Sequence, residues 1–186
     1  MIGYAFCGSF CTLKDSLAAL EGLANEGYEI QPIMSETVYS TDTRFFKCEE
    51  LARRVRELTG RQIIHTVREA EPLGPKEPLS ALIIAPCTGN TIAKLATGIT
   101  DSAVTMAAKA HLRRDRPLLI ALASNDAMSQ NLGNIGRMLT RKSVYLVPMR
   151  QDDPVGKPHS LVADFTLIPR ALELMINNKQ QRPLFL

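Results

Sequence analysis

Short apolar runs alternate along this chain with longer stretches in which apolar residues recur every three or four positions, which restricts the fold to βαβ units on a parallel sheet. Residues 2–7 form the first run. Thr12 and Asp15 then read as a capping box, ahead of a helix with Leu13, Leu17, Leu20 and Ala24 on one face that Gly27 stops. Residues 28–34 predict a second strand. A helix follows with Cys48, Leu51, Val55 and Leu58 on one stripe and Gly60 at its end, then a short strand over 62–66. Residues 69–80 carry Pro72, Pro75 and Pro78, which remove backbone donors, so this stretch reads as a surface loop. Residues 81–85 are almost purely apolar, as in a central strand covered on both faces, and the run ends at Pro86.

The second half repeats the pattern. Ile92, Leu95 and Ile99 mark one helix and residues 103–112 another, and residues 118–123 form the next buried strand. A helix with Leu132, Ile135 and Leu139 leads to a strand over 144–147. Pro169 opens a final helix that turns Leu172, Met175 and Ile176 inward. The expected architecture is a three-layer, doubly wound α/β sheet, Rossmann-like or flavodoxin-like. At 186 residues, 45% of them hydrophobic, it is read as one domain over 1–186.

Composition narrows the function. Twenty-two Lys and Arg against 19 Asp and Glu give a net charge of +3, spread too evenly to signal a nucleic-acid surface. Cys7, Cys11, Cys48 and Cys87 form no CxxC pair, and three scattered His complete no zinc pattern, so neither a disulfide framework nor a metal is expected. The chain runs from Met1 straight into an apolar strand without a secretory signal's basic flank, and no apolar stretch approaches a membrane span. A cytoplasmic protein with reduced thiols is the expectation.

In an open doubly wound sheet, ligands sit beyond the carboxyl ends of the strands, so the residues just after each run matter most. Gly8, Ser9, Phe10, Cys11 and Thr12 combine a permissive glycine, hydroxyl donors and a helix start, which suits a phosphate; a plain strand-to-helix turn explains Gly8 about as well. GxGxxG is absent, which argues against a standard dinucleotide fingerprint. Ser35 follows the second strand, where a helix cap is the simpler role. After Pro86, Thr88, Asn90 and Thr91 crowd another helix start with more polar side chains than capping requires, which favours ligand contact. Ser124, Asn125 and Asp126 serve equally as a cap or as a ligand face. His65 and His111 have no nucleophile at a recognised spacing, and Cys87 suits packing better than reactivity.

The order GSFCT after strand one, Ser35 after strand two, APCTGNTIAKLATGITD after the central strand and Asn125 after the next resembles the homo-oligomeric flavin-containing cysteine decarboxylase family of flavoproteins, over roughly the first 140 residues. The resemblance implies FMN, with Gly8, Ser9 and Phe10 around its phosphate and Ser35 in contact after strand two. It also implies that Pro86, Thr88, Asn90 and Thr91 match the PxTxNT segment, and Asn125 the Asn of PxMN. Two departures count against cysteine decarboxylation. The segment where family decarboxylases place a His reads Pro72-Leu73-Gly74-Pro75, and PxMN reads Leu122-Ala123-Ser124-Asn125. EAEPLGPK, TDSAVTMAAKAHLR, SNDAMSQN and VPMRQDDPVGKPHSLVA are instead similar to one subunit of a two-subunit oxidoreductase. That likeness implies formation of dipicolinate from a dihydrodipicolinate-type precursor during sporulation, NADP on a partner subunit, a small dicarboxylate substrate and a trimer or larger homo-oligomer. FMN-dependent decarboxylation and a non-catalytic stabilising subunit are the alternatives. Lys94 and Arg137 are candidates to help hold substrate carboxylates, though surface roles suit both better.

Overall fold

The computed structural model describes residues 1–74 and 79–186. Pro75 and Pro78 of the proline-rich loop lie outside the described residues. Four strands form a parallel core in the order β2 (Ile30–Met34), β1 (Ile2–Phe6), β3 (Leu82–Cys87) and β4 (Leu118–Ser124). The chain leaves β1 toward one edge and returns on its other side as β3, which creates a switch point between them. Strand β4 is shared along its length. Its start pairs in parallel with β5 (Val144–Leu146), and its end, Ala123 and Ser124, pairs antiparallel with β7 (Leu161–Ala163), which in turn carries β6 (Met149–Arg150).

Side chains alternate between two apolar layers, as strand geometry requires. Leu82 and Ile84 of β3, and Leu118, Ile120 and Leu122 of β4, face a cluster built with α5 (Gly89–Thr97), α6 (Ala103–Leu112) and α7 (Leu132–Leu139). Ile83, Ala85, Leu119 and Ala121 face the opposite cluster, with α1 (Leu13–Asn25), α3 (Cys48–Thr59) and α8 (Ile168–Ile176). Two short helices, α2 (Glu36–Ser40) and α4 (Val67–Ala70), complete the described set. The two central strands are buried at every position, which is why they read as uninterrupted apolar runs. The three-layer, doubly wound expectation is therefore met.

Local details differ from expectation in four places; residues 69–80, expected as a surface loop, hold the end of α4, a 3-10 turn over Glu71–Leu73 and the buried Leu73 and Leu79. Thr12 makes no capping box: its hydroxyl donates to the Ser9 carbonyl at 2.9 Å, and a 3-10 turn over Phe10–Thr12 leads into α1. Residues 62–66 supply only a single bridge, Ile64 to Ile33, because the chain turns away into the Thr66–Glu69 capping box of α4. Ile99, Leu132 and Ile176 are about half exposed, while Leu95, Ile135, Met138, Leu172 and Met175 carry the buried faces.

A buried polar chain ties α1 to the sheet. The Tyr4 hydroxyl donates to the Ser16 carbonyl at 2.8 Å, and the Ser16 hydroxyl donates to the Ala85 carbonyl at 2.5 Å. Burial pushes the Tyr4 phenol far above its ordinary range, so it stays a neutral donor. Tyr4→Phe leaves the Ser16 carbonyl without this donor and is expected to cost about 1–2 kcal/mol. That loss should appear as a lower urea midpoint with an unchanged slope. An unaltered midpoint would mean that the hydroxyl contributes nothing net.

Candidate functional site

Three strand-end loops meet around one cleft of about 470 Å³. The β1 loop contributes Gly8, Ser9 and Phe10, the β3 loop Thr88, Gly89 and Asn90, and the β4 loop Ser124, Asn125 and Asp126. The volume lies within the range usual for small-molecule sites. Thr88 caps α5 by accepting from the Thr91 amide at 3.1 Å. The amides of Gly89 and Asn90, first in that helix, have no intrahelical acceptor and lie at its positive end. Asn90 and Asn125 are exposed, and among the described residues neither carboxamide is engaged. A Cβ at Gly8 would lie 3.4 Å from the Phe10 ring, an ordinary van der Waals contact.

Behind this rim lies a hydrogen-bonded cluster. The Asp126 carboxylate accepts from the Ser124 hydroxyl and from the buried Asn131 carboxamide, 2.9 Å from each oxygen; the Asn134 amide in turn donates to Asn131 at 2.9 Å. Donation from Ser124 leads the effects that hold the Asp126 carboxyl below its usual value, so it is an anion that fixes the loop. The cluster packs directly on Gly89, where an added Cβ would lie 2.6 Å from both Asp126 Oδ1 and Asn131 Nδ2.

Two cations reach the cleft from segments distant in sequence. Lys157 is paired with Asp152 at 2.7 Å. Arg44, 4.8 Å from the Phe45 ring centroid, has no carboxylate partner among the described residues. Backbone amides at a helix start, carboxamides, hydroxyls and one unneutralised guanidinium form a donor set suited to a phosphate monoester. Beside the cleft, sharing Asp152 and Val162 with it, runs a second groove of about 530 Å³ between Ala18, Ala19 and Gly22 of α1 and the Phe165 segment.

Of the nine positions singled out by sequence, Gly8, Ser9, Phe10, Thr88, Asn90 and Asn125 line the cleft. Ser35, Pro86 and Thr91 are not on its lining. Ser35 caps α2 by accepting from the Val38 amide at 3.4 Å, and its own amide donates to Phe6 at the end of β1. The Pro86 carbonyl accepts from the Cys7 amide at 3.1 Å. The Thr91 hydroxyl sits 3.0 Å from the Thr88 hydroxyl, and burial pushes the Cys7 thiol up to about 11. Cys87 is raised well above its usual value by burial and then by Cys7, the reverse of a reactive thiol. His65 stacks on Tyr39 at 3.8 Å beside Glu69, and Lys94 is held by Asp101 at 2.8 Å. Arg44, Phe45, Asp152 and Lys157 were not anticipated. The run TDTRFFK, basic and aromatic just after α2, is the signal that could have found the first two.

Residues 1–158 match the Flavoprotein family model. The B subunit of dipicolinate synthase from Bacillus subtilis (strain 168) is 42% identical over 183 residues, covering 98% of this chain and 92% of that protein. The crystal structure of the corresponding dipicolinate synthase B subunit from Bacillus halodurans C has a TM-score of 0.91 at 37% identity, over 100% of this chain and 95% of that one. A dodecameric FMN-dependent UbiX-like decarboxylase from Escherichia coli O157:H7 has a TM-score of 0.62 at 21% identity, over 79% of each chain, a likeness of fold. Among the described residues no helix is long and apolar enough to cross a membrane. With the strand-end loops in this order and a family match through most of its length, the chain belongs to the Flavoprotein family and is a homologue of the dipicolinate synthase B subunit.

Proposed function

We propose that this chain is the FMN-binding subunit of a cytoplasmic oxidoreductase that forms dipicolinate from a dihydrodipicolinate-type precursor during sporulation. Its partner is the dipicolinate synthase A subunit, which binds NADP. The observation that carries the reading is the convergence of the β1, β3 and β4 loops on one cleft with unengaged donors at a helix start. Gly8, Ser9, Asn90 and the α5 amides hold the flavin phosphate, assisted by Arg44. Thr88 shapes that helix start, and Asn125 and Phe10 border the ligand. Ser35, Pro86 and Thr91 act through the loops that they fix. When bound, FMN supplies two-electron redox chemistry. The homologues' names support the synthase reading over decarboxylation, as does the Pro72-Leu73 sequence where decarboxylases of the resembled family carry a His. The dodecameric relative supports assembly of residues 1–186, as a single domain, into a homo-oligomer.

Titration of the purified chain with FMN, followed by flavin fluorescence, tests this. Saturable binding is expected in the wild type. Ser9→Glu should weaken it at least about tenfold by setting a carboxylate against the phosphate, and Asn90→Ala by about tenfold through a lost bond to a charged group. A wild-type chain that does not bind FMN would sink the flavoprotein reading and leave a stabilising, non-catalytic subunit as the better account.

A further inference from the structure

At the opposite end of the sheet from the cleft, where β5 begins and α7 and α8 end, the structure holds a separate cavity of about 460 Å³. Arg141 and Arg182 both stand on its wall. Neither has a carboxylate within ion-pair distance among the described residues. The helix ends favour nearby cations, yet each supplies only about half a negative charge and neutralises neither guanidinium. More positive charge lies close by. Lys142 is paired with Asp115 at 2.8 Å, whereas Arg114 and Arg116, just after α6, donate to the uncharged carbonyls of Gly74 and Leu79.

The rest of the wall is fixed before any ligand arrives. The Gln180 carboxamide is locked across the edge of β5, accepting from the Leu146 amide at 2.9 Å and donating to its carbonyl at 2.6 Å. The Ser143 hydroxyl donates to the Asp115 carbonyl at 2.9 Å. Tyr145 donates to the carbonyl oxygen of the Asn178 side chain at 3.5 Å, which leaves that side chain's NH2 group as a donor. Leu139, Val144 and Leu184 add apolar surface. Guanidinium groups recognise two-oxygen planar anions through paired hydrogen bonds, and two of them in one concavity suit two carboxylates.

We propose that this cavity is an anion site for an organic dicarboxylate, held by Arg141 and Arg182 and resting on the Leu139, Val144 and Leu184 surface. The site is independent of the flavin cleft and needs no flavin to bind. The carboxylates come from a free dicarboxylic acid or from adjacent acidic side chains of a partner chain.

Calorimetric titration of the FMN-free protein with pyridine-2,6-dicarboxylate and, separately, with a soluble glutamate-rich peptide distinguishes the sources. Saturable binding of either probe is expected, weakened about tenfold or more by Arg141→Gln and by Arg182→Gln and left unchanged by Ser9→Glu in the flavin cleft. Saturation by the small acid alone identifies a metabolite site; saturation by the peptide alone identifies a docking site for an acidic partner. Absence of saturation by both probes up to roughly 10 mM, or binding that survives both arginine substitutions, overturns the proposal. FMN affinity measured on the same arginine variants should equal that of the wild type, which separates a failure here from a failure of the flavin reading.

Discussion

Gly89→Ala is expected to destabilise the protein by about 2–4 kcal/mol, a fall in Tm of roughly 5–12 °C for a chain of this length. The cause is geometric. A Cβ at this position would enter the space of the Ser124 hydroxyl, Asp126 Oδ1 and Asn131 Nδ2 together, and these groups are bonded to one another. Relief requires either a shift of α5 away from β4 or the breaking of a cluster whose carboxylate sits behind the rim, and both costs are substantial. The φ angle of Gly89 is not in the left-handed region, so the penalty belongs to close approach and not to backbone freedom. Thermal unfolding of the variant beside wild type decides the matter. A Tm within a degree or two of wild type would show that the β4 loop yields freely.

Acid should weaken the fold in a window set by His111. This side chain is buried on α6, donating from Nε2 to the Pro117 carbonyl at 2.8 Å, and Nδ1 has no partner. Burial leads the effects that lower its pKa from 6.5 to about 4, with Arg116 adding to it against the opposing Pro117 bond. The folded state thus refuses a proton that the unfolded chain accepts between those values. Stability is complete above pH 6.5, falls as pH drops toward 4 and levels off below. The full difference amounts to about 3 kcal/mol. Asp126 and Glu69 have lowered pKa values, so their contribution is present above the ordinary carboxylate range and lost beneath it. Their window therefore lies below that of His111. Urea midpoints from pH 7 to 4 should flatten in His111→Gln, and an equally steep fall in that variant would assign the acid sensitivity elsewhere.

Sequence made the layers legible where physics acts locally. The runs at β3 and β4 announce strands covered on both faces, and Gly60 stops α3 in the left-handed conformation that its position suggests. Strands β6 and β7 escaped notice because two or three residues carry no periodicity, and their existence depends on a partner, Ala123 and Ser124, some 40 residues earlier. The candidate cleft divides along the same line. Gly8, Ser9, Thr88, Asn90 and Asn125 stand immediately after apolar runs, the positions where an open sheet keeps its ligands. Arg44 and Lys157 enter from a loop after α2 and from the connection between β6 and β7, where no local pattern states which cavity they border. Thr12 failed as a capping residue because its hydroxyl was already committed to Ser9, a competition between nearby acceptors that composition does not rank.

The Gln180 carboxamide that spans the Leu146 peptide has a meaning for solubility. An open sheet ends in strands with unpaired backbone groups, which invite pairing with another chain. Here one side chain imitates the missing peptide, and the residues after it continue the imitation: the Met149 amide donates to Leu184, and the Leu186 amide donates to Met149, each at 2.9 Å. The final seven residues of the chain thus cover this border with one side-chain mimic and a single backbone bridge at Phe185, and their removal would convert a sealed border of the sheet into a template for aggregation.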